Sequence, residues 1–162
     1  MNRIARRPTL VPALRSRNYR LFFFGQGVSL IGTWMTQTAT IWLVYQLTNS
    51  ALMLGIVGFT SQIPSLFLAP FGGVLVDRFN THRILVIAQI FAMMQSLTLA
   101  VLALTGTIHI WHFIFLSLFQ GVINAVDAPA RQAFVPEMVE KRDDLASAIA
   151  LNSSLVNGGR LI

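Results

Sequence analysis

Long apolar stretches alternate with short polar turns along the chain, and two of the stretches carry no charge. No Asp, Glu, Lys or Arg occurs between residues 21 and 76 or between residues 84 and 126. A helix of about 20 apolar residues crosses the hydrocarbon core of a bilayer, so each stretch has room for two crossings. A water-soluble helical bundle would need amphipathic helices with charged outer faces, and these stretches offer none. The pattern predicts a polytopic membrane protein.

Turn-forming residues divide the apolar pattern into five helices. Thr48-Asn49-Ser50 favours a turn and the cap of the next helix, and Thr105-Gly106-Thr107 favours a second turn. A fifth apolar pattern starts at Leu145. We expect an all-α protein with four complete transmembrane helices and part of a fifth. The predicted domains are a basic tail at 1–20 and a partial transmembrane half at 21–162, with spans at about 21–45, 52–76, 84–104, 110–126 and 145–162.

Composition and charge support the membrane assignment and orient the chain. The chain is 54% hydrophobic and 11% charged, whereas soluble domains are about 25% charged. Lys and Arg concentrate in the N-terminal tail and in the loops after the second and fourth spans, and the other two turns carry none. Because basic loops stay in the cytoplasm, we expect the N-terminus to be cytoplasmic. The net charge of +6 follows from this asymmetry and does not indicate a nucleic-acid partner.

Three segments carry a resemblance to a known family. Residues 73–83, GVLVDRFNTHR, resemble the Gly-x-Leu-x-Asp-Arg-x-Gly signature between helices two and three of the major facilitator superfamily. Residues 124–137, NAVDAPARQAFVPE, and residues 152–160, NSSLVNGGR, are similar to its branch of bacterial exporters that includes the enterobactin exporter, the transmembrane secretion effectors. The resemblance implies an N-terminal fragment of a twelve-helix bundle in the bacterial inner membrane, without its C-terminal half.

The resemblance also implies a conformational switch at the cytoplasmic helix ends. Its expected members are Gly73, Asp77, Arg78, Arg83, Asp127 and Arg131. Asn80 replaces a family glycine, and we expect it to adopt the left-handed conformation of a tight turn. Thr81 replaces a base that would pair with the acid Asp127, so Arg78 or Arg83 must substitute or the relay is absent. Without the resemblance, these charges would be ordinary interfacial residues.

Polar residues inside the spans recur at steps of three and four, which places them on single helix faces. A polar side chain facing lipid is costly, so such faces should turn towards protein or a water-filled cavity. Polar contacts between packed helices are the alternative. The cavity-lining candidates are Ser29, Thr33, Thr36, Gln37, Thr40, Ser117, Gln120, Asn124, Asn157 and Arg160.

The expected function is secondary active export of a small hydrophobic or siderophore-like molecule, coupled to an antiport of protons. The sequence contains no ATP-binding loop, metal cluster or catalytic motif, so we expect no enzyme activity, cofactor or metal. Two alternatives are a dimeric four-helix drug pump, which usually carries a glutamate in its first helix, and a non-transporting membrane protein that binds a partner. His109 and His112, at the outer edge of the fourth span, either titrate near neutral pH or belong to an aromatic belt.

Overall fold

A computed structural model describes residues 17–137 and positions 151 and 154. Residues 17–137 are almost entirely helical, which confirms the all-α prediction. The four helices are α1 (Arg17–Thr48), α2 (Ala51–Arg78), α3 (Thr81–Leu104) and α4 (Ile110–Glu137). The predicted fifth span at 145–162 lies outside the described residues except at positions 151 and 154, which are both helical.

The connections between helices are short and formed by the residues that the sequence indicated. Asn49 has a φ of 47°, and the next residue, Ser50, caps α2 by accepting a hydrogen bond from the Met53 amide at 3.4 Å. Gly106, with a φ of 67°, occupies the turn between α3 and α4. The chain therefore reverses after α1 and after α3 through a left-handed residue. Asparagine and glycine tolerate that conformation best.

Three of the described helices, α2, α3 and α4, are long and apolar enough to cross a membrane. The chain is therefore a multi-pass membrane protein. The first predicted span, 21–45, lies within the 32-residue helix α1, which is not among the three. Its glutamines and threonines lower its hydropathy, although residues 21–48 carry no charge.

The fourth helix is longer than the sequence predicted. The expected span ended at about residue 126, with a charged loop to follow, but α4 continues to Glu137. Charge alone was a poor signal for the helix end, because Asp127 and Arg131 stand four residues apart and pair along the helix. The prediction of a loop at Arg131 is therefore wrong.

The described residues fall into two compact units. In the first, made of residues up to Met35 and from Val135 onward, Tyr19 is buried with Val135, and Phe22, Phe23 and Leu151 pack against them.

The second unit runs from Thr36 to Phe134 and has its buried cluster at the end that holds the α1–α2 and α3–α4 turns. The buried members are Val44, Val57, Leu99, Ile108 and Phe113.

Within the second unit, α4 packs against both α2 and α3. Ser65 of α2 donates its hydroxyl hydrogen to the Gly121 carbonyl at 2.9 Å, and Gln95 of α3 donates to the Leu116 carbonyl at 3.5 Å. The Phe91 ring of α3 meets the Phe119 ring of α4 edge-on, with centroids 5.8 Å apart. Since α2 and α4 run in the same direction, their contacts advance together along both sequences.

Candidate functional site

The loop between α2 and α3 is shorter than its sequence suggests. The Phe79 amide donates to the Leu75 carbonyl at 3.0 Å and closes α2, and the Asn80 side chain accepts from the Arg83 amide at 3.2 Å and caps α3. Asn80 has a φ of −64°, so the expectation of a left-handed asparagine is wrong. An asparagine is favoured at a helix N-cap as well as in a left-handed turn, and here it acts as the cap.

Charged side chains of this loop point outward. Asp77, Arg78 and Arg83 are all exposed, and no ion pair within 4.0 Å joins Asp77 to a base among the described residues. Thr81, which stands where the family has a base, is buried. These three charges are therefore available for partners outside the part of the chain that the structure describes.

The beginning of α3 lies beside the end of α4. The ring of His82 packs on the ring of Phe134, with centroids 5.8 Å apart. This contact brings the loop of Asp77 and Arg78 to the same end of the unit as the charged turns of α4. The assignment of these residues to a conformational switch stays a prediction.

The acid of the predicted relay, Asp127, has its partner within α4. Asp127 pairs with Arg131 on its own helix, and not with Arg78 or Arg83. Their side chains are only 13% and 17% exposed, and Oδ1 of Asp127 is buried with no hydrogen-bond partner among the described residues. A largely buried carboxylate is costly unless it is paired, and Arg131 supplies the opposite charge.

Two adjacent glycines of α2 have opposite surroundings. A Cβ at Gly72 would come closer than 3.0 Å to the Ala125 carbonyl oxygen and would lie 3.4 Å from Cγ of Pro129. A Cβ at Gly73, the motif glycine, would meet nothing within 4 Å. Sequence reasoning selected Gly73 and overlooked Gly72, which is the glycine that lets α2 and α4 touch.

A second close approach lies further along the same pair of helices. A Cβ at Gly121 would be closer than 3.0 Å to the Ser61 carbonyl oxygen and 2.9 Å from Cδ of Pro64. Ser117, Gly121 and Ala125 are buried, small and four residues apart, a spacing that allows helices to pack closely in membranes. We call these three residues the small-residue ridge, and their spacing was the signal that could have identified the contact.

The cavity-lining candidates of α4 do not all share one environment. Ser117 is 9% exposed, in the small-residue ridge. Gln120 donates its amide hydrogen to Oδ1 of Asn124 at 3.0 Å, and Asn124 is exposed. With Asp127 and Arg131 they follow one face of the helix at steps of three and four residues. We call Gln120, Asn124, Asp127 and Arg131 the polar face of α4.

The candidates on α1 satisfy their hydroxyls within their own helix. Thr33 donates to the Ser29 carbonyl at 2.9 Å, and Thr40 donates to the Thr36 carbonyl at 2.8 Å. Such bonds make a hydroxyl inexpensive in a membrane and leave its lone pairs accessible. Gln37 is exposed. The remaining two candidates, Asn157 and Arg160, lie outside the described residues.

Comparison with known proteins identifies the family. The family model described as transmembrane secretion effector matches residues 8–162, nearly the whole chain. The chain belongs to the transmembrane secretion effector family of major facilitator transporters. This match confirms the resemblance predicted from residues 73–83 and 124–137. It does not address the enterobactin exporter in particular, which stays a prediction.

Curated relatives of this transmembrane secretion effector are named as transporters. The staphyloferrin A transporter of Staphylococcus aureus is 29% identical over 139 residues, which cover 85% of this chain and 35% of that protein. The macrolide efflux protein A of Streptococcus pyogenes is 27% identical over 142 residues, again 85% and 35%. An uncharacterized major-facilitator-type transporter of Bacillus subtilis is 23% identical over 137 residues, covering 84% and 31%.

The chain spans about a third of the length of the curated relatives that it matches. No solved structure matches it. The family match and the relatives' names agree with the prediction of a transporter rather than an enzyme.

Proposed function

We propose that the protein to which these helices belong exports a small hydrophobic or siderophore-like molecule across the bacterial cytoplasmic membrane. The observation that carries the proposal is the family match over residues 8–162. The names of two relatives, a staphyloferrin transporter and a macrolide efflux protein, support this substrate range. Since those relatives are about three times as long as the matched region, the proposal places these helices at the start of a longer bundle, completed by a C-terminal half.

In this proposal α1 is also a membrane span, and the N-terminus is cytoplasmic. The polar residues that lower the hydropathy of α1 face the substrate path rather than lipid, so they do not prevent this helix from crossing the membrane. The chain has no cysteine, so single cysteines can report topology. A membrane-impermeant maleimide on intact cells should label a cysteine at Thr107, in the α3–α4 turn, and not one at Phe79. The reverse labelling would overturn this orientation.

Switching is assigned to the charged helix ends. The exposed Asp77, with Arg78 and Arg83, would contact the second half of the transporter in one conformation and release it in the other. Asp127 and Arg131 form an ion pair with no net charge, and this pair stabilises the last turns of α4. Gly73 has room on its open side for a neighbouring helix to approach during the change.

Substrate contact is assigned to the polar residues of the spans. The exposed Asn124 side chain accepts a hydrogen bond from Gln120. Its amide group can still offer two N–H donors and one acceptor lone pair to a ligand. On α1, Gln37 is exposed and Thr36 and Thr40 are partly exposed, so they can contribute further hydrogen bonds. The proposed lining also includes Ser29, Thr33, Asn157 and Arg160, and it retains Ser117 only as a packing residue behind it.

Proton coupling can be tested on the complete protein in inverted membrane vesicles. An imposed pH gradient, acidic inside, should drive uptake of at least one member of a panel of lipophilic compounds and siderophores. Collapse of the gradient with a protonophore should abolish that uptake, and ATP alone should not support it. Uptake that needs ATP and ignores the gradient would refute secondary transport, and uptake driven by sodium would refute only the coupling ion.

A further inference from the structure

Two histidines form a hydrogen-bonded pair at the start of α4. The backbone amide of His109 donates to Nδ1 of His112 at 3.0 Å, and Nδ1 of His109 lies 2.7 Å from the Thr107 carbonyl oxygen. The two imidazole rings are 5.7 Å apart between centroids. This arrangement lies at the end of the helices opposite the loop of Asp77 and Arg78.

The partners determine where the ring protons are. A carbonyl oxygen only accepts, so Nδ1 of His109 donates its hydrogen to Thr107. A backbone N–H only donates, so Nδ1 of His112 accepts and its ring hydrogen is on Nε2. His112 therefore does what a glutamate or glutamine does three residues after a helix N-cap, where the side chain reaches back to the N-cap amide.

Unlike glutamine, histidine loses this acceptor when it binds a proton. Both nitrogens of an imidazolium are donors, so a charged His112 cannot accept from the His109 amide. Its positive charge would also lie in the first turn of α4, where the helix dipole disfavours cations. Both effects act in the same direction. We propose that protonation of His112 opens the first turn of α4, which makes the α3–α4 turn a pH-sensitive latch.

The residues packed around the α3–α4 turn are mostly uncharged, which leaves His112 as the group that responds to pH. The neighbouring Ile108 and Phe113 are 9% and 1% exposed, and they pack with residues of α1, α2 and α3 in the buried cluster. Residues 21–76 and 84–126, which supply all of those helix segments, contain no Asp, Glu, Lys or Arg. Among the described residues, the titratable side chains at this end are His109, His112 and the exposed Tyr45. Imidazoles change charge between about pH 5 and 8, and a tyrosine does not.

Opening the turn would loosen a defined part of the core. Ile108 precedes the His109 cap and Phe113 follows His112, so fraying of this turn exposes two residues that anchor α3 and α4 to each other. The hydrogen bond and its loss do not depend on the proposed transport function. In the proposed topology this end faces the cell exterior, so the latch would respond to external pH.

Hydrogen–deuterium exchange of the complete protein in detergent tests the proposal. Peptides covering residues 105–114 would be followed at about pH 5.5 and about pH 7.5, after correction for the intrinsic pH dependence of exchange. Because the proposal has a protonated His112 only in the open turn, opening should be more frequent at the lower pH, by up to about tenfold for each pH unit.

Matched variants assign the effect to one ring. His112→Gln keeps an acceptor at every pH, so its protection should be the same at both pH values. His109→Asn keeps an N-cap and leaves His112 in place, so it should retain the wild-type pH dependence. Equal wild-type protection at both pH values, or a pH dependence that persists in His112→Gln, would overturn the proposal. If His112→Gln misfolds, pH-independent exchange in the wild type alone is sufficient to refute it.

Discussion

The contact between Gly72 and Ala125 gives a sharp test of the packing of α2 against α4. In a Gly72→Ala protein, the new methyl group would lie closer than 3.0 Å to the Ala125 carbonyl oxygen and 3.1 Å from its carbonyl carbon. Both atoms belong to the backbone of a helix, which cannot rotate away as a flexible side chain can. The two helices must therefore move apart, and the hydrogen bond from Ser65 to Gly121, at 2.9 Å, would lengthen with them.

The magnitude follows from two opposing effects. Overpacking of a close contact costs about 1 to 3 kcal/mol, and replacement of a helical glycine by alanine returns about 0.5 to 1 kcal/mol. The free energy of unfolding should therefore fall by up to about 2.5 kcal/mol, which raises the unfolded-to-folded ratio by up to roughly 70-fold. Gly73→Ala adds the same methyl group one residue away, where nothing lies within 4 Å. That control should leave the unfolding free energy unchanged or raise it by up to about 1 kcal/mol.

Both variants can be compared by unfolding the purified protein in mixed micelles with increasing SDS, followed by circular dichroism. The comparison is internal, since the two substitutions are chemically identical and adjacent in one helix. Equal stability of the two variants, or greater loss in Gly73→Ala, would refute the described contact. Slower transport in Gly73→Ala with unchanged stability would support the role of Gly73 in switching.

Three further predictions concern the charged helix ends. Replacement of Arg131 by methionine should cost about 3 kcal/mol, because it leaves the largely buried Asp127 carboxylate unpaired. Asp127→Asn should cost less, because the asparagine oxygen can still accept a hydrogen bond from Arg131. SDS unfolding measures both, and unchanged stability of Arg131→Met would contradict this reasoning. Asn80→Ala should remove the cap of α3 and cost about 1 kcal/mol, while Asn80→Asp should cost little; a gain in stability from Asn80→Gly would indicate a left-handed residue instead. Asp77→Asn should slow transport by the complete protein in inverted vesicles without changing its stability, and equal transport rates would contradict its role in switching.

Much of the fold follows from local sequence signals. Uncharged apolar runs are long enough to specify helices, and Ser50 and Gly106 occupy turn positions for which few other residues are suited. The end of α4 was missed because a charged segment after an apolar run was interpreted as a loop. The spacing of Asp127 and Arg131 predicts an ion pair along a helix, so this error could have been avoided from the sequence.

Other features of the site depend on three-dimensional context that local sequence does not contain. Asn80 is compatible both with an N-cap and with a left-handed turn, and the choice between them depends on how closely α3 follows α2. Gly72 and Gly73 point about 100° apart around the axis of α2. Only the position of α4 decides which of the two glycines is in contact, and a motif that names Gly73 carries no information about its neighbour.

Packing and proposed function are coupled on α4 because they use neighbouring faces of one helix. The small-residue ridge of Ser117, Gly121 and Ala125 and the polar face that begins at Gln120 are about 90° apart around the axis. The close contacts of Gly72 and Gly121 with their neighbours leave α4 little freedom to rotate. The direction of the polar face is therefore fixed by contacts that touch neither substrate nor charge. A transport defect from a change in the ridge would then report misdirection of Asn124 and Asp127 rather than loss of a substrate contact.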